Sequence, residues 1–176
     1  KKCGRGISPR SQVSFNIMKI IIIAHGKIKN GPEFDLIFDY ATRFNKQFNS
    51  DFLTSLEISE SNEPENQFYK KVARILDSKQ STVLLDRNGE QIDSEGLTQL
   101  VTSFSEKGIG QVSFVIGGAS GFPKQLTLKA NKIIALSKMV FPHKIARLIL
   151  VEQLYRAKCI INRHPYHKAW GFICLR

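Results

Sequence analysis

The residues of this sequence that could do chemistry begin with a glycine-rich loop, GGASG at 117–121. The loop is neither GxGxxG nor a P-loop, because it lacks the lysine that binds phosphate. Its open backbone amides and carbonyls suit a ligand such as an adenine ring or an amino-acid moiety. A tight turn that binds nothing, where glycine is needed only for a positive φ, is the alternative.

A second group lies near the carboxyl terminus, where the stretch INRHPYH at 161–167 carries Arg163, His164, Tyr166 and His167. Arginine and histidine can contact phosphates, and tyrosine and histidine can stack on a base, so this cluster indicates RNA binding. His164 and His167 are also spaced like metal ligands. No carboxylate or thiol nearby completes a ligand set, so no metal site is predicted.

The net charge of +11 comes from the two ends of the chain. Residues 18–137 contain fourteen basic and fourteen acidic residues, whereas residues 138–176 contain eight basic residues and the single acid Glu152. A basic carboxy-terminal region in a chain that is otherwise balanced predicts a polyanionic partner. A solvated basic face is the alternative, and Glu152 with Arg156 at i, i+4 spacing is most simply a surface ion pair.

The compartment and the domain boundaries are predicted from the remaining composition. The cysteines at 3, 159 and 174 form no CxxC pair and fit a reduced cytoplasmic protein. No apolar run reaches the roughly eighteen residues of a membrane span, so no membrane partner is expected. Residues 1–17 are basic and free of acid, and we expect them outside the fold as a tag remnant, an upstream translation or a targeting remnant. An organelle is therefore the alternative to the cytoplasm.

The elements that must position these groups alternate between strand and helix. Apolar runs predict five strands, over 18–24, 52–58, 81–86, 111–116 and 137–141. Helical spacing predicts helices over 33–48, 64–79, 94 to near 108, 123–135 and 142–161. This alternation predicts an α/β fold, a parallel sheet with helices on both faces.

Local signals refine these elements. Helical spacing places Phe34, Ile37, Phe38 and Phe44 on the packed face of the first helix. Residues 87–90 are predicted to form a turn at the carboxyl end of the third strand. Ser94 is predicted to cap the helix that follows.

The carboxyl ends of three predicted strands bring the candidate residues together. Leu85, Gly117 and Phe141 each stand at such an end. Parallel α/β sheets bind ligands in the crevice at the carboxyl ends of their strands. The sequence therefore predicts one pocket bounded by these three chain segments.

Several motifs at fixed distances resemble those of one known family. They are Gly117-Gly118, Leu136-Ser137 followed at 142–143 by Pro-His, Arg147, the EQLYRA segment at 152–157 and HPYH at 164–167. In combination they resemble the ribosomal RNA large subunit methyltransferase H family of SPOUT-class enzymes. The resemblance runs from Met18 to about Lys168, which indicates a single domain over 18–168 and a carboxy-terminal extension over 169–176.

This resemblance implies a carboxy-terminal trefoil knot, a homodimer, and S-adenosyl-methionine as methyl donor. The implied reaction is methylation at N3 of a pseudouridine in the large-subunit rRNA of the assembled ribosome. The implied cofactor contacts are Leu85, Gly117, Leu136, Ser137, Lys138, Met139, Val140 and Phe141. Catalytic roles are expected for Arg147, Tyr166 and His167, and RNA contacts for Arg156, Arg163 and His164.

The sequence departs from the family pattern at three places. Ala119-Ser120 follows the glycine pair where the family often has Pro-Glu, so the loop has no carboxylate of its own. Val140-Phe141 precedes Pro142 where Thr-Leu is common, and residues 169–176 continue beyond the usual end. The alternatives are a SPOUT enzyme with a tRNA target and a ribosome-associated RNA-binding module without catalysis. An NTP-dependent enzyme is disfavoured by the missing phosphate-binding lysine.

Overall fold

The computed structural model describes residues 16–46, 52–78 and 80–166. In this part of the chain the elements are β1 (Met18–His25), α1 (Pro32–Asn45), β2 (Leu53–Ser61), α2 (Glu65–Leu76), β3 (Ser81–Gln91), α3 (Ser94–Glu106), β4 (Gln111–Ile116), α4 (Lys124–Thr127), β5 (Lys132–Ala135) and α5 (His143–Ile161). Most of the predicted extensions, and the predicted catalytic residue His167, lie outside the described residues. The domain boundaries and the trefoil knot therefore stay predictions.

The five strands form one sheet in the order β2-β1-β4-β3-β5, and every neighbouring pair is parallel. Ile22 in β1 stands opposite Ile58 on one side and Phe114 on the other. Two parallel strands must be joined by a crossover connection, and here the helices between the strands supply these connections and cover the sheet. The predicted parallel α/β architecture is confirmed.

Side chains of successive strand residues point to opposite faces of the sheet, and each face has its own packed layer. Ile20 and Ile22 of β1 join the core formed with α1, α3 and α5. Ile23 of the same strand joins the core formed with α2 and α4, which contains Phe68 and Leu126. The helices therefore lie on both faces, as predicted.

The prediction of the fifth strand over 137–141 is wrong, and so is the long helix over 123–135. The helix there is the single turn α4, and the strand is β5, which pairs with β3. Asn131 starts this pairing, because its side-chain oxygen accepts from the Thr82 amide at 2.7 Å and its own amide donates to the Thr82 carbonyl at 3.1 Å. The chain then leaves the sheet, and Met139 and Val140 are 68% and 76% exposed.

Two local predictions near α3 are also corrected. Residues 87–90 belong to β3, which continues to Gln91 with a shift of register against β5 between Leu85 and Glu90. The cap of α3 is Asp93, whose Oδ1 accepts from the Gly96 amide at 2.7 Å. Ser94 is the first residue of the helix, and its hydroxyl donates to Gln153 Oε1 at 2.6 Å.

The predicted packed face of α1 is only partly buried. Ile37 and Phe44 lie in the core, whereas Phe34 and Phe38 are exposed and stack on each other with ring centroids 6.5 Å apart. Near the end of α1 the buried Lys158 of α5 donates to the carbonyl oxygens of Phe44, Lys46 and Leu53. A lysine ammonium at a helix carboxyl end satisfies carbonyls that have no partner within the helix. Among the described helices, none is long and apolar enough to cross a membrane.

Candidate functional site

A hollow with a volume of about 510 Å³ opens at the carboxyl edge of the sheet. It is bounded by the chain after Leu85 of β3, by the loop after β4 and by the segment between β5 and α5. Seven of the eight predicted cofactor residues line it: Leu85, Gly117, Leu136, Ser137, Met139, Val140 and Phe141. Lys138 is not among its lining residues. The three chain segments singled out from the sequence therefore share one hollow, although the predicted fifth strand is wrong.

The polar groups of the hollow are held by short local hydrogen bonds. Asp86 and Asn88 line one side, and the Asn88 amide donates to Asp86 Oδ1 at 2.8 Å. On the opposite side the Met139 amide donates to Ser137 Oγ at 3.0 Å. Such side-chain bonds to the backbone two residues away fix turns without a regular element. The hollow thus combines preformed polar turns with apolar surface, as ligand sites commonly do.

The glycine-rich loop forms the wall of the hollow after β4, and each of its glycines occupies a position where a side chain would be disfavoured. A Cβ on Gly117 would lie 3.1 Å from both the Tyr69 hydroxyl and Phe122 Cζ. A Cβ on Gly118 would overlap the Glu65 carboxylate. Gly121 has φ of +74°, a conformation that only glycine adopts readily. The loop therefore presents open backbone toward the hollow because side chains of α2 occupy the space behind it.

A second cavity, about 650 Å³ in volume, lies between α2 and residues 120–126. It shares Ser120, Gly121 and Phe122 with the hollow, and Asn66 and Lys70 lie on its far side. The ends of β3 and β5 do not line it. We therefore take the hollow at the strand ends as the candidate active site.

Arg147, which was predicted to supply catalytic charge, lies next to the hollow but does not line it. Its guanidinium is 1% exposed and pairs with Glu60. It also donates to the carbonyl oxygens of Gly26 at 2.8 Å and His25 at 3.3 Å. These contacts brace α5 against the carboxyl ends of β1 and β2, one residue beyond Ala146 of the hollow. Its catalytic role stays a prediction.

Tyr166 and Arg156, predicted for catalysis and RNA contact, belong to a cluster around Glu152. Glu152 Oε1 accepts from the Tyr166 hydroxyl at 2.9 Å and from Arg156 Nη2 at 2.5 Å. The Arg156 guanidinium also stacks over the Tyr166 ring, 5.0 Å from its centroid. Burial, together with the hydrogen bonds that the Tyr166 hydroxyl makes to Tyr40 and Glu152, raises the pKa of Tyr166 well above its ordinary value. Tyr166 therefore stays a neutral phenol and acts as a hydrogen-bond donor.

The Glu152 cluster and the hollow are separated along α5. Glu152 lies six residues beyond Ala146, and at a rise of 1.5 Å per residue the separation along the helix axis is about 9 Å. His164 accepts from the Tyr166 amide at Nδ1 at 3.2 Å, and Arg163 is exposed with φ of 53°. Within one chain, the structure thus brings together seven predicted cofactor residues with Arg147 beside them, whereas Tyr166 and Arg156 lie in the separate Glu152 cluster.

The sequence reading missed Glu65 and Tyr69, which contact the glycine-rich loop from α2. Nothing in the local sequence marks them, since they lie about fifty residues before the loop; helical spacing could only have shown that Tyr69 faces inward. Among residues 16–46, 52–78 and 80–166, no group of three or more histidine, cysteine or acidic side chains is arranged to hold a metal ion.

The sequence matches the family described as Predicted SPOUT methyltransferase over residues 18–167. Because that match covers most of the chain, this protein belongs to the SPOUT methyltransferase family. It is 35% identical over 159 residues to ribosomal RNA large subunit methyltransferase H from Rhizobium etli. This alignment covers 86% of this chain and 99% of that protein. It is 31% identical over 160 residues to the protein of the same name from Rhodopseudomonas palustris, covering 86% and 100%. The resemblance drawn from the motifs is confirmed.

Proposed function

We propose that this protein transfers a methyl group from S-adenosyl-methionine to N3 of a pseudouridine in large-subunit rRNA. We propose further that the substrate is the assembled ribosome, in the cytoplasm or in an organelle. One observation carries the proposal: residues 85–88 of β3, the end of β4 and the segment after β5 line one hollow with seven of the eight predicted cofactor residues. Support for the RNA target comes from the names of the relatives and from the basic carboxy-terminal region.

The residues of the hollow fit S-adenosyl-methionine in size and chemistry. Its volume falls within the range of about 300–1,000 Å³ that is usual for small-molecule sites. Leu85, Leu136 and Phe141 offer apolar surface to an adenine ring, and Gly117 lines the hollow with no side chain to obstruct it. When bound, the cofactor supplies an electrophilic methyl group on a sulfonium. Most of the protein's contribution is then to orient the acceptor toward that methyl group.

The acceptor nitrogen of a uracil-type base carries a proton near neutral pH, so the protein must either accept that proton or stabilise the anion. Tyr166 cannot supply a phenolate, because its raised pKa keeps it protonated. We assign to it the role of orienting the base, since its single proton is donated to Glu152. Arg147 and Arg156 supply positive charge, and His167 is the remaining candidate to accept the proton.

The protein is proposed to act as a homodimer, and two observations support this. The Glu152 cluster with Tyr166 lies along α5 away from the hollow of the same chain, so a second chain could supply the RNA-contacting end. Met139 and Val140 at the rim of the hollow, and Phe38 on α1, are more than half exposed in one chain. A partner chain would remove these apolar side chains from water.

The proposal is tested first by calorimetric titration of S-adenosyl-methionine into the full chain. Binding supports the enzyme, and absence of binding supports the non-catalytic RNA-binding alternative. Mass-spectrometric nucleoside mapping then identifies the product after incubation with ribosomes, large subunits, free rRNA or tRNA, all from cells without the modification. N3-methylated pseudouridine formed only on assembled ribosomes is the expected result. Methylation of tRNA alone would replace the target with the tRNA alternative.

The assigned roles are tested by variants measured separately for cofactor binding and for methylation. Tyr166→Phe and His167→Ala should keep the affinity for S-adenosyl-methionine and lose turnover. Arg163→Ala, at an exposed position, should raise KM for the ribosome and leave cofactor affinity unchanged. Wild-type turnover in Tyr166→Phe and His167→Ala would remove these residues from the mechanism.

A further inference from the structure

The glycine-rich loop has little of its own to hold its shape beyond one backbone hydrogen bond, from the Gly121 amide to the Gly118 carbonyl at 3.2 Å. Three of the five residues over 117–121 are glycine, and the other two, Ala119 and Ser120, are exposed. Glycine loses more conformational freedom on folding than any other residue, so a loop of this composition populates many shapes unless other parts of the protein fix it. The wall of the hollow therefore depends on contacts from outside the loop.

Tyr69 of α2 supplies two of these contacts with a single hydroxyl. The hydroxyl accepts from the Gly118 amide at 3.0 Å and donates to the Gly121 carbonyl at 2.7 Å. It therefore joins the two ends of the turn. The ring is 8% exposed and packs against Phe122, with centroids 5.8 Å apart. Burial raises the pKa of Tyr69, which keeps the proton that the Gly121 bond requires.

Glu65 supplies the other contacts, one helical turn before Tyr69. Residues at i and i+4 lie on the same helix face, so both side chains reach the same loop. The Glu65 carboxylate accepts from the Ser120 hydroxyl and lies against Gly118. The pKa of Glu65 is lowered, first by the Ser120 hydroxyl and then by the backbone amides of Ser120 and Ala119. The carboxylate thus links α2 to donors on two successive residues of the loop.

We propose that Glu65 and Tyr69 form a clasp that positions the glycine-rich loop and so sets the affinity for the methyl donor. The inference rests on the proposed function, because the loop matters only if the hollow binds that donor. Both are positioning residues, since neither lines the hollow. If the clasp raises the fraction of molecules whose loop is ready to bind, its loss raises the apparent Kd in inverse proportion to that fraction.

The central experiment measures Kd for S-adenosyl-methionine by calorimetry, and KM and kcat in the methylation assay, for three variants of the full chain. Tyr69→Phe keeps the ring and removes only the hydroxyl, while Glu65→Gln and Ser120→Ala weaken the other contact. We expect Kd and KM for the donor to rise about tenfold in Tyr69→Phe, equivalent to 1.4 kcal/mol at 25 °C, with kcat nearly unchanged. A purely structural role would lower the melting temperature without this separation of KM from kcat.

Matched controls separate the clasp from general loss of stability. Tyr155→Phe removes a hydroxyl from another buried tyrosine, and Glu57→Gln neutralises an exposed carboxylate paired with Lys19. Both positions are independent of the loop, so each should leave donor affinity within about twofold of wild type. The double variant Glu65→Ala/Ser120→Ala should weaken donor binding no more than the more harmful of its two single variants. The reason is that each single variant already removes the same contact between Glu65 and Ser120.

The outcomes distinguish the clasp from the proposed function. If wild type binds the donor and all three clasp variants bind it equally well, the clasp is refuted while the function stands. If wild type does not bind, the function fails and the clasp fails with it. Should Tyr69→Phe not fold, Glu65→Gln and Ser120→Ala decide the question alone, because both change side chains at the protein surface and wild-type Kd in both would refute the clasp.

Discussion

Replacing Arg147 with methionine should destabilise the protein far more than losing a surface ion pair. The guanidinium is 1% exposed, and it holds Glu60 together with the backbone carbonyls of His25 and Gly26. Removing one partner of a fully buried pair costs about 3–5 kcal/mol, since the other charge is left without compensation. Glu60 is 24% exposed and can regain water, so we expect about 2–4 kcal/mol.

This loss is measured by urea unfolding followed by circular dichroism, with thermal unfolding alongside. For a domain of this size each 1 kcal/mol lowers the melting temperature by about 2–4 °C, so a loss of about 3 kcal/mol corresponds to roughly 6–12 °C. The matched control is Arg43→Met, which breaks an i, i+4 pair with Asp39 whose side chains are 45% and 44% exposed. Such exposed pairs contribute little to stability, so this control should unfold close to wild type.

Two results bear on the reasoning about Arg147. Adding Glu60→Leu to Arg147→Met should recover part of the lost stability, because it removes the uncompensated carboxylate. If Arg147→Met is no more destabilising than Arg43→Met, the argument that this guanidinium braces α5 against β1 and β2 is refuted.

Three further predictions concern the buried Lys158, the pairing of β3 with β5, and the titration of Tyr155. Lys158→Met should destabilise by about 2–4 kcal/mol in urea unfolding, since it leaves three carbonyl oxygens without their ammonium donor; an unchanged midpoint would contradict this. Gly89→Ala should lower both the melting temperature and the affinity for S-adenosyl-methionine, because its Cβ would lie 2.6 Å from the Ile134 carbonyl carbon in β5; normal stability would show that the pairing of β3 with β5 is wrong. Burial raises the pKa of Tyr155 to about 12, above the value of about 10 in the unfolded chain. The folded state then holds a proton that the unfolded state releases, so this stabilisation is complete below about pH 10 and is lost as pH rises toward 12. Unfolding free energies across this range should fall more steeply for wild type than for Tyr155→Phe, and equal slopes would contradict the assignment.

The sequence predicts β1, β2, β4 and the first half of β3, because apolar residues concentrate there, but it misses residues 87–91 of β3, which are polar. It fails at β5, since Ile133-Ile134 and Met139-Val140 are equally apolar. The choice between them is made by contacts distant in sequence. Asn131 pairs with Thr82, and Gly89 allows the backbone of β3 to approach Ile134 closely. The periodicity of apolar residues carries no information about either contact.

The residues of the candidate site are predicted from the sequence motifs and not from the predicted strands and helices. Gly117 and Phe141 meet in one hollow even though Phe141 lies on a loop and not at the end of a strand. Glu65 and Tyr69 could not be found, because hydrogen bonds between a helix and a loop fifty residues apart leave no periodic signal. The sequence predicts that Phe38 is buried, whereas it is exposed. A single sequence shows which face of a helix is apolar, but it does not show whether another part of the same chain covers that face.

The most direct test of the central claim is an amide NMR titration of the full chain with S-adenosyl-methionine. The account predicts chemical-shift changes concentrated at residues 85–88, 117–122 and 136–141, with little change at the exposed face of α1 around Phe38. Saturating donor that shifts none of these three segments, or that shifts only residues of the second cavity around Asn66 and Lys70, would contradict it.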